Sequence, residues 1–147
     1  LYHDPGNSLL YVISAGDYSM DGGYVGNGMV EALYTPTDEV VGSIQLGGAP
    51  FEMILTDDGI AYLGNGKEGV ILSFDATTLQ PLASVDIRDS DDALGLSFAS
   101  ALALDGNGYL YAAEFNHDRL FVIDTDGDKI VTTYIVNDGP DTLSFIH

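Results

Sequence analysis

The stretch that decides the fold is GYLYAAEFNHDRLFVID, residues 108–124. It contains two runs of apolar and aromatic residues separated by a polar loop, which is the pattern of two short β-strands. A similar stretch, GIAYLGNGKEGVILSFD, occupies residues 59–75. Tyr62 in the first copy and Tyr111 in the second are 49 residues apart. This self-similarity predicts a repeat protein.

The remainder of the chain continues the same pattern of short apolar runs and regular turns. No segment shows the helical spacing of apolar residues over three turns. A period near 49 residues with four strands per unit predicts an all-β β-propeller built from four-stranded antiparallel blades. The predicted blades are residues 1–50, 51–97 and 98–147, within one partial propeller domain. Known propellers close with four to eight blades, so we expect a longer chain or a ring closed by additional copies.

The two repeats resemble the NHL and YVTN class of β-propeller repeats. The resemblance lies in an Asp-Gly-x-apolar-Tyr entry, in an Asn-x-Asp-Arg-apolar-x-Val-apolar-Asp crossing and in a Thr-apolar exit strand. The sequence DGNGYLYAAEFNHDRLFVID carries it best. It spans nearly the whole chain, and the first unit is the least regular, since Tyr34-Thr35 replaces Phe74-Asp75. The resemblance implies the propeller fold and leaves the activity open, because such repeats occur in scaffolds, adhesive surface proteins, lyases and lactonases.

The net charge of the chain limits the classes of partner that it can bind. It carries 4 Lys and Arg against 23 Asp and Glu, a formal net charge of −19. This field repels nucleic acid and anionic membranes and attracts cations or a basic partner. No apolar run of about 18 residues exists, so we expect no membrane insertion. Cysteine is absent, which excludes thiolate metal sites, and the Lys-poor, Gly- and Asp-rich composition is typical of extracellular, cell-surface or periplasmic proteins.

Two long connections are predicted on one face of the propeller. With the strands of a blade labelled A to D, alternating directions place the B–C loops and D–A connections on one face and the hairpins on the other. Residues 11–34 span 23 positions where the equivalent 62–74 span 12, and residues 85–108 span 23 where 44–59 span 15. Both long connections fall on the B–C side, which is therefore the predicted binding face.

That face carries acidic, amide and imidazole side chains, namely Asp17, Asp21, Asp89, Asp91, Asp92, Glu114, Asn116 and His117. Ca²⁺ takes six to eight oxygen ligands, and the candidate ligands are Asp89, Asp91 and Asp92. The alternative is a set of solvated acidic loops with no specific metal. No nucleophile elbow, paired histidine or phosphate loop occurs, so no residue is assigned a catalytic role.

Three functions agree with these features. The leading one is an extracellular or cell-surface propeller module that binds a protein or surface partner, or serves as a scaffold, and is stabilised by Ca²⁺. The first alternative is a propeller enzyme, such as a divalent-metal lactonase or a lyase, with Glu52 and Glu114 directed toward the central channel. The second alternative is a homo-oligomeric subunit of a surface layer or filament, because the outer blades have bare edges.

Overall fold

A computed structural model of the chain describes residues 1–4, 6–20, 23–66, 68–88 and 97–145. All regular structure in these residues is β, and they contain no helix that could cross a membrane. The strands, numbered in chain order, are β1 (Tyr2–Asp4), β2 (Leu9–Ser14), β3 (Asp17–Ser19), β4 (Gly23–Gly26), β5 (Met29–Tyr34), β6 (Glu39–Gln45), β7 (Pro50–Leu55), β8 (Ile60–Asn65), β9 (Val70–Asp75), β10 (Pro81–Asp86), β11 (Ala99–Leu104), β12 (Tyr109–Glu114), β13 (Arg119–Asp124) and β14 (Lys129–Ile135).

Three four-stranded antiparallel sheets form the predicted blades. Blade 1 has the order β1-β2-β5-β6, blade 2 runs from β7 to β10, and blade 3 runs from β11 to β14. The innermost strands β7 and β11 lie against each other. Gly59 and Gly108, each just before strand B, have φ of +86° and +87°. Glycine adopts this left-handed conformation without steric cost, which explains why both repeats carry it there.

The core lies between successive blades because strand residues alternate between the two sheet faces. Each of the two interfaces holds one cluster of buried apolar side chains. The cluster between blades 1 and 2 includes Tyr11, Val30, Ile44, Leu63 and Phe74. The cluster between blades 2 and 3 includes Tyr62, Ile71, Val85, Leu110 and Ile123.

The repeated tyrosines also make a repeated hydrogen bond to the following blade. The Tyr11 hydroxyl donates to the carbonyl oxygen of Ala76 at 2.9 Å. The Tyr62 hydroxyl lies 3.3 Å from the carbonyl oxygen of Thr125 and 3.2 Å from Oδ1 of Asp128. Each tyrosine therefore packs in the core between two blades and also joins its blade to the C–D turn of the next. Tyr111, at the same position in blade 3, packs edge-on against Phe145 with ring centroids 5.1 Å apart.

Two expectations about local structure are wrong. The Gly-, Asp-, Tyr- and Ser-rich composition of residues 15–28 predicts a long loop, but these residues contain the two-stranded sheet β3-β4. Tyr and Val have high strand propensity, so Tyr18 and Val25 favour a short hairpin despite the high glycine content of this stretch. Residues 141–147 follow Pro140 as residues 51–55 follow Pro50, and this match predicts the opening of another strand. Residues 141–145 form no strand. Residues 146 and 147 lie outside the described residues.

Candidate binding face

The start of strand A and the end of strand B meet at one end of each complete blade. Pro50 pairs with Asn65 in blade 2, and Ala99 pairs with Glu114 in blade 3. We call this end of blades 2 and 3, with the loops that follow Asn65 and Glu114, the B–C face. It is the face on which the sequence predicts binding.

Only part of the predicted binding site lies within the residues that the structure describes. Glu114, Asn116 and His117 lie together in and beside one loop of blade 3. Asp17 lies on the β3-β4 hairpin of blade 1, where its Oδ2 accepts a hydrogen bond from Asn27 Nδ2 at 2.6 Å. The other predicted residues lie outside the described part of the chain, namely Asp21, Asp89, Asp91 and Asp92. The Ca²⁺ site therefore stays a prediction, and no three His, Cys, Asp or Glu side chains among the described residues come close enough to hold a metal.

Glu114 is fully buried and its carboxylate closes the loop of blade 3. It accepts hydrogen bonds from the backbone N–H groups of Asn116 at 3.1 Å and His117 at 3.0 Å. The Nδ1 of His117 lies 3.1 Å from Glu114 Oε2. The Arg119 guanidinium lies 3.3 Å from the same oxygen and donates to the carbonyl oxygen of Ile87 in blade 2 at 3.2 Å. A buried charge is tolerated when it is paired in this way, so the carboxylate joins the loop to the blade interface.

Asn65 occupies the equivalent position in blade 2 and has a similar role. It is fully buried, and its Oδ1 accepts from the backbone N–H of Ala49 at 3.0 Å. Its Nδ2 donates to the carbonyl oxygen of Leu46 at 3.3 Å. A polar residue at the end of strand B therefore ties the B–C loop to neighbouring backbone in both blades. Glu52, the second carboxylate considered for an enzyme, is exposed on β7.

A row of three aromatic rings lies on the B–C face. The ring centroids of Phe51 and Phe98 are 5.8 Å apart, and those of Phe98 and Phe115 are also 5.8 Å apart with the planes nearly parallel. Phe51 is 45% exposed and Phe115 is 41% exposed. We call these three residues the phenylalanine row. Contiguous exposed aromatic surface is typical of interaction sites.

Gly66 leaves space for the rings of the phenylalanine row. A β-carbon at Gly66 would lie 2.9 Å from Cβ of Phe98 and 3.3 Å from Cε2 of Phe51, so a side chain there would displace the rings. Sequence reasoning missed this row, because its members occupy three different positions of the repeat. The one available signal was that Phe115 replaces Gly66 at the start of the B–C loop.

A cleft of about 660 Å³ opens at the hairpin end of the blades. Its lining includes three carboxylates, those of Asp57, Asp58 and Asp126, beside Tyr2 and Leu104. The concentration of negative charge disfavours anionic ligands there. The hairpin end therefore presents carboxylates beside an open cleft, and the B–C face presents the phenylalanine row beside the exposed Glu52 and Glu68.

The sequence matches no family model and no curated protein. Solved structures do match. The WD40 repeats of RRP9 give a TM-score of 0.70 at 16% identity, over 94% of this chain and 38% of that chain. Sqt1 of Saccharomyces cerevisiae gives 0.66 at 10% identity, over 90% and 36% of the two chains. The chain has a β-propeller fold.

Hydrazine synthase of Kuenenia stuttgartiensis also matches this propeller, with a TM-score of 0.66 at 19% identity over 77% of this chain and 31% of that chain. At these identities the likeness shows the fold alone. The propeller spans about a third of the length of the structures that it matches. Its three blades therefore match only a part of each of those longer chains.

Proposed function

We propose that this propeller is a binding scaffold whose B–C face takes an extended, basic segment of a protein partner. The phenylalanine row carries the proposal. Three rings in contact, with the outer two more than 40% exposed, offer a surface on which apolar groups and guanidinium groups can stack. Aromatic residues, Phe among them, are enriched in the buried cores of protein interfaces.

The net charge of the chain supports a partner segment that is rich in Lys and Arg. The chain has a formal net charge of −19, so a basic segment is drawn to it and an acidic one is repelled. Glu52 follows Phe51 in the chain and Glu68 lies in the loop that begins at Gly66, and both side chains are exposed. Glu114 contributes little to this attraction, because Arg119 already pairs with it.

A peptide titration tests the proposal. A fluorescent peptide of about twelve residues, with Arg alternating with Leu, is titrated with the protein at low and moderate salt. Phe115→Ser removes one ring without altering the charge, and we expect roughly 10-fold weaker binding. Tyr34→Ser is the matched control, because Tyr34 is 39% exposed and ends strand β5 at the opposite end of blade 1. We expect this variant to bind like the wild type.

Two outcomes would contradict the proposal. Equal affinity of the wild type and Phe115→Ser would mean that the peptide is held by net charge alone. Equal affinity of the wild type for a peptide with Glu in place of Arg would show that the partner segment need not be basic.

Finer features belong to the same proposal. The Asp-Gly and Tyr pattern of the repeats supports membership of the NHL and YVTN class, and the composition supports an extracellular, cell-surface or periplasmic location. Stabilisation by Ca²⁺ rests on the acidic sequence DSDD at residues 89–92 and on the hard oxygen ligands that this ion prefers.

A further inference from the structure

We propose that the β3-β4 hairpin of blade 1 forms a second wall of the binding site, so that the basic partner segment lies between this hairpin and the phenylalanine row. The inference rests on the proposed function, since it concerns the same face and the same partner segment. The hairpin belongs to residues 15–28, which join strands B and C of blade 1. Alternating strand directions therefore place it on the same side of the propeller as the B–C loops of blades 2 and 3.

The hairpin carries an apolar surface that is open to solvent. Met20 is 91% exposed, Tyr18 is 65% exposed and Val25 is 52% exposed. In the chain Tyr18 and Met20 alternate with the polar residues Asp17 and Ser19, and side chains two residues apart along a strand lie on the same face. A two-stranded hairpin is only marginally stable alone in water. Exposed apolar surface of this kind is typical of a site that a protein partner covers.

The base of the hairpin lies directly beside the phenylalanine row. A β-carbon on Gly28 would lie 2.3 Å from the carbonyl oxygen of Gly47 and 2.4 Å from Cδ of Pro50. The Gly28 carbonyl oxygen also accepts a hydrogen bond from the Leu46 N–H at 2.8 Å. The backbone at the end of the hairpin segment therefore packs on the start of β7. Phe51, the first ring of the row, is the next residue after Pro50.

Two further contacts hold the base of the hairpin closed. A β-carbon on Gly16 would lie 2.0 Å from the carbonyl oxygen of Gly26, so the two ends of the hairpin approach each other at backbone distance. Beside them, Asn27 Nδ2 donates to Asp17 Oδ2 at 2.6 Å. A closed base that is packed on β7 sets the direction in which the hairpin projects. A wall that is positioned before binding loses less conformational entropy when the partner arrives.

The hairpin and the phenylalanine row suit the same class of segment. The Tyr18 ring can stack on a guanidinium group, as the rings of the row can. The Met20 thioether is flexible and polarizable, so it adapts to apolar side chains. The Asp17 carboxylate accepts from a neutral amide, which leaves its negative charge in place to attract a basic segment. The structure thus offers aromatic, apolar and acidic groups on both sides of the proposed path.

The Arg-Leu peptide that tests the proposed function also tests this inference. Met20→Ser removes an apolar side chain from the hairpin without altering the charge, and we expect roughly 10-fold weaker binding. Val25→Ser removes a smaller apolar group and should weaken binding roughly 3-fold. Val41→Ser is the matched control, because Val41 is 58% exposed in the same blade but lies on the outer strand β6. We expect this variant to bind like the wild type.

The variants distinguish a failure of this inference from a failure of the proposed function. Wild-type affinity in both Met20→Ser and Val25→Ser, together with weaker binding in Phe115→Ser, would overturn the role of the hairpin and leave the proposed function in place. Wild-type affinity in Phe115→Ser would overturn the proposed function and this inference with it. Equal weakening in Val41→Ser would also overturn the inference, because the loss would not be specific to the hairpin.

Nuclear magnetic resonance of the complex tests the contact directly. The methyl group of Met20 should show nuclear Overhauser contacts to the leucine methyl groups of the bound peptide. Weaker binding in Met20→Ser without these contacts would overturn the inference, because the substitution would then act on the binding site from a distance.

Discussion

Replacing Glu114 with Ala should destabilise blade 3 severely. The carboxylate is fully buried and holds two backbone N–H groups, the His117 ring and the Arg119 guanidinium. The side chain of Arg119 is only 13% exposed, so Glu114→Ala removes an ion pair that is largely shielded from water and takes the acceptor away from two backbone N–H groups. Breaking a buried ion pair from one side costs about 3–5 kcal/mol. We expect a loss of about 4 kcal/mol in the free energy of unfolding.

Urea denaturation followed by circular dichroism measures this loss. With a slope of about 2 kcal/mol/M, the midpoint should fall by about 2 M. Glu114→Gln loses the charge but keeps one acceptor oxygen, so it can still accept from one of the two backbone N–H groups, which bond to different oxygens of Glu114. It should therefore cost less than Glu114→Ala, about 1–3 kcal/mol. Glu68→Ala, an exposed change in the equivalent loop of blade 2, should stay within about 0.5 kcal/mol.

The comparison also separates a structural role for Glu114 from the binding role that the sequence predicts. A Glu114→Ala protein within about 1 kcal/mol of the wild type would refute the structural argument. Weakened peptide binding in that stable variant would then favour direct contact with a partner. Lost turnover of a lactone in a stable Glu114→Gln variant would instead support the enzyme alternative.

Three further predictions concern the core, alkaline pH and calcium. Leu63→Ala, at a fully buried position between blades 1 and 2, should lower the free energy of unfolding in urea by about 2–5 kcal/mol. The exposed control Leu82→Ala should lower it by less than about 0.5 kcal/mol. Equal losses in the two variants would contradict the blade packing. Burial, and then the charge of Asp128, raises the pKa of Tyr62 above its usual 10.0. The unfolded state therefore loses this proton first, so the free energy of unfolding should fall as pH rises above 10. It should fall less steeply in Tyr62→Phe. The same dependence on pH in the wild type and in Tyr62→Phe would refute this prediction. Ca²⁺ should raise the melting temperature of the wild type but not of a variant with Asn at 89, 91 and 92, and no shift would end the calcium prediction.

The blade architecture was predictable because it repeats in the sequence. The tyrosines at 62 and 111 and the glycines at 59 and 108 recur at a fixed interval, since each performs the same task in its blade. The orientation of the loops followed from alternating strand direction. Strand pairing across the hairpins is local, so a pattern within one repeat was enough to anticipate it.

The phenylalanine row was not predictable in the same way. Phe51, Phe98 and Phe115 come from different repeat positions and two blades, and meet only when β7 packs beside β11. Periodicity cannot reveal a contact that does not recur. The burial of Glu114 was equally hidden, because its sequence context suggested an exposed acidic loop, while Arg119 and two backbone N–H groups in fact surround it.

The most direct test of the proposed function is to map the bound peptide on the propeller by nuclear magnetic resonance. Backbone amide shifts of the labelled protein are followed as the Arg-Leu peptide is added. We expect the largest changes at Phe51, Phe98, Phe115 and the loops beside them, with little change in the hairpins at residues 56–59 and 105–108. Changes concentrated at those acidic hairpins, or spread evenly over the surface, would contradict the assignment of the B–C face as the binding site.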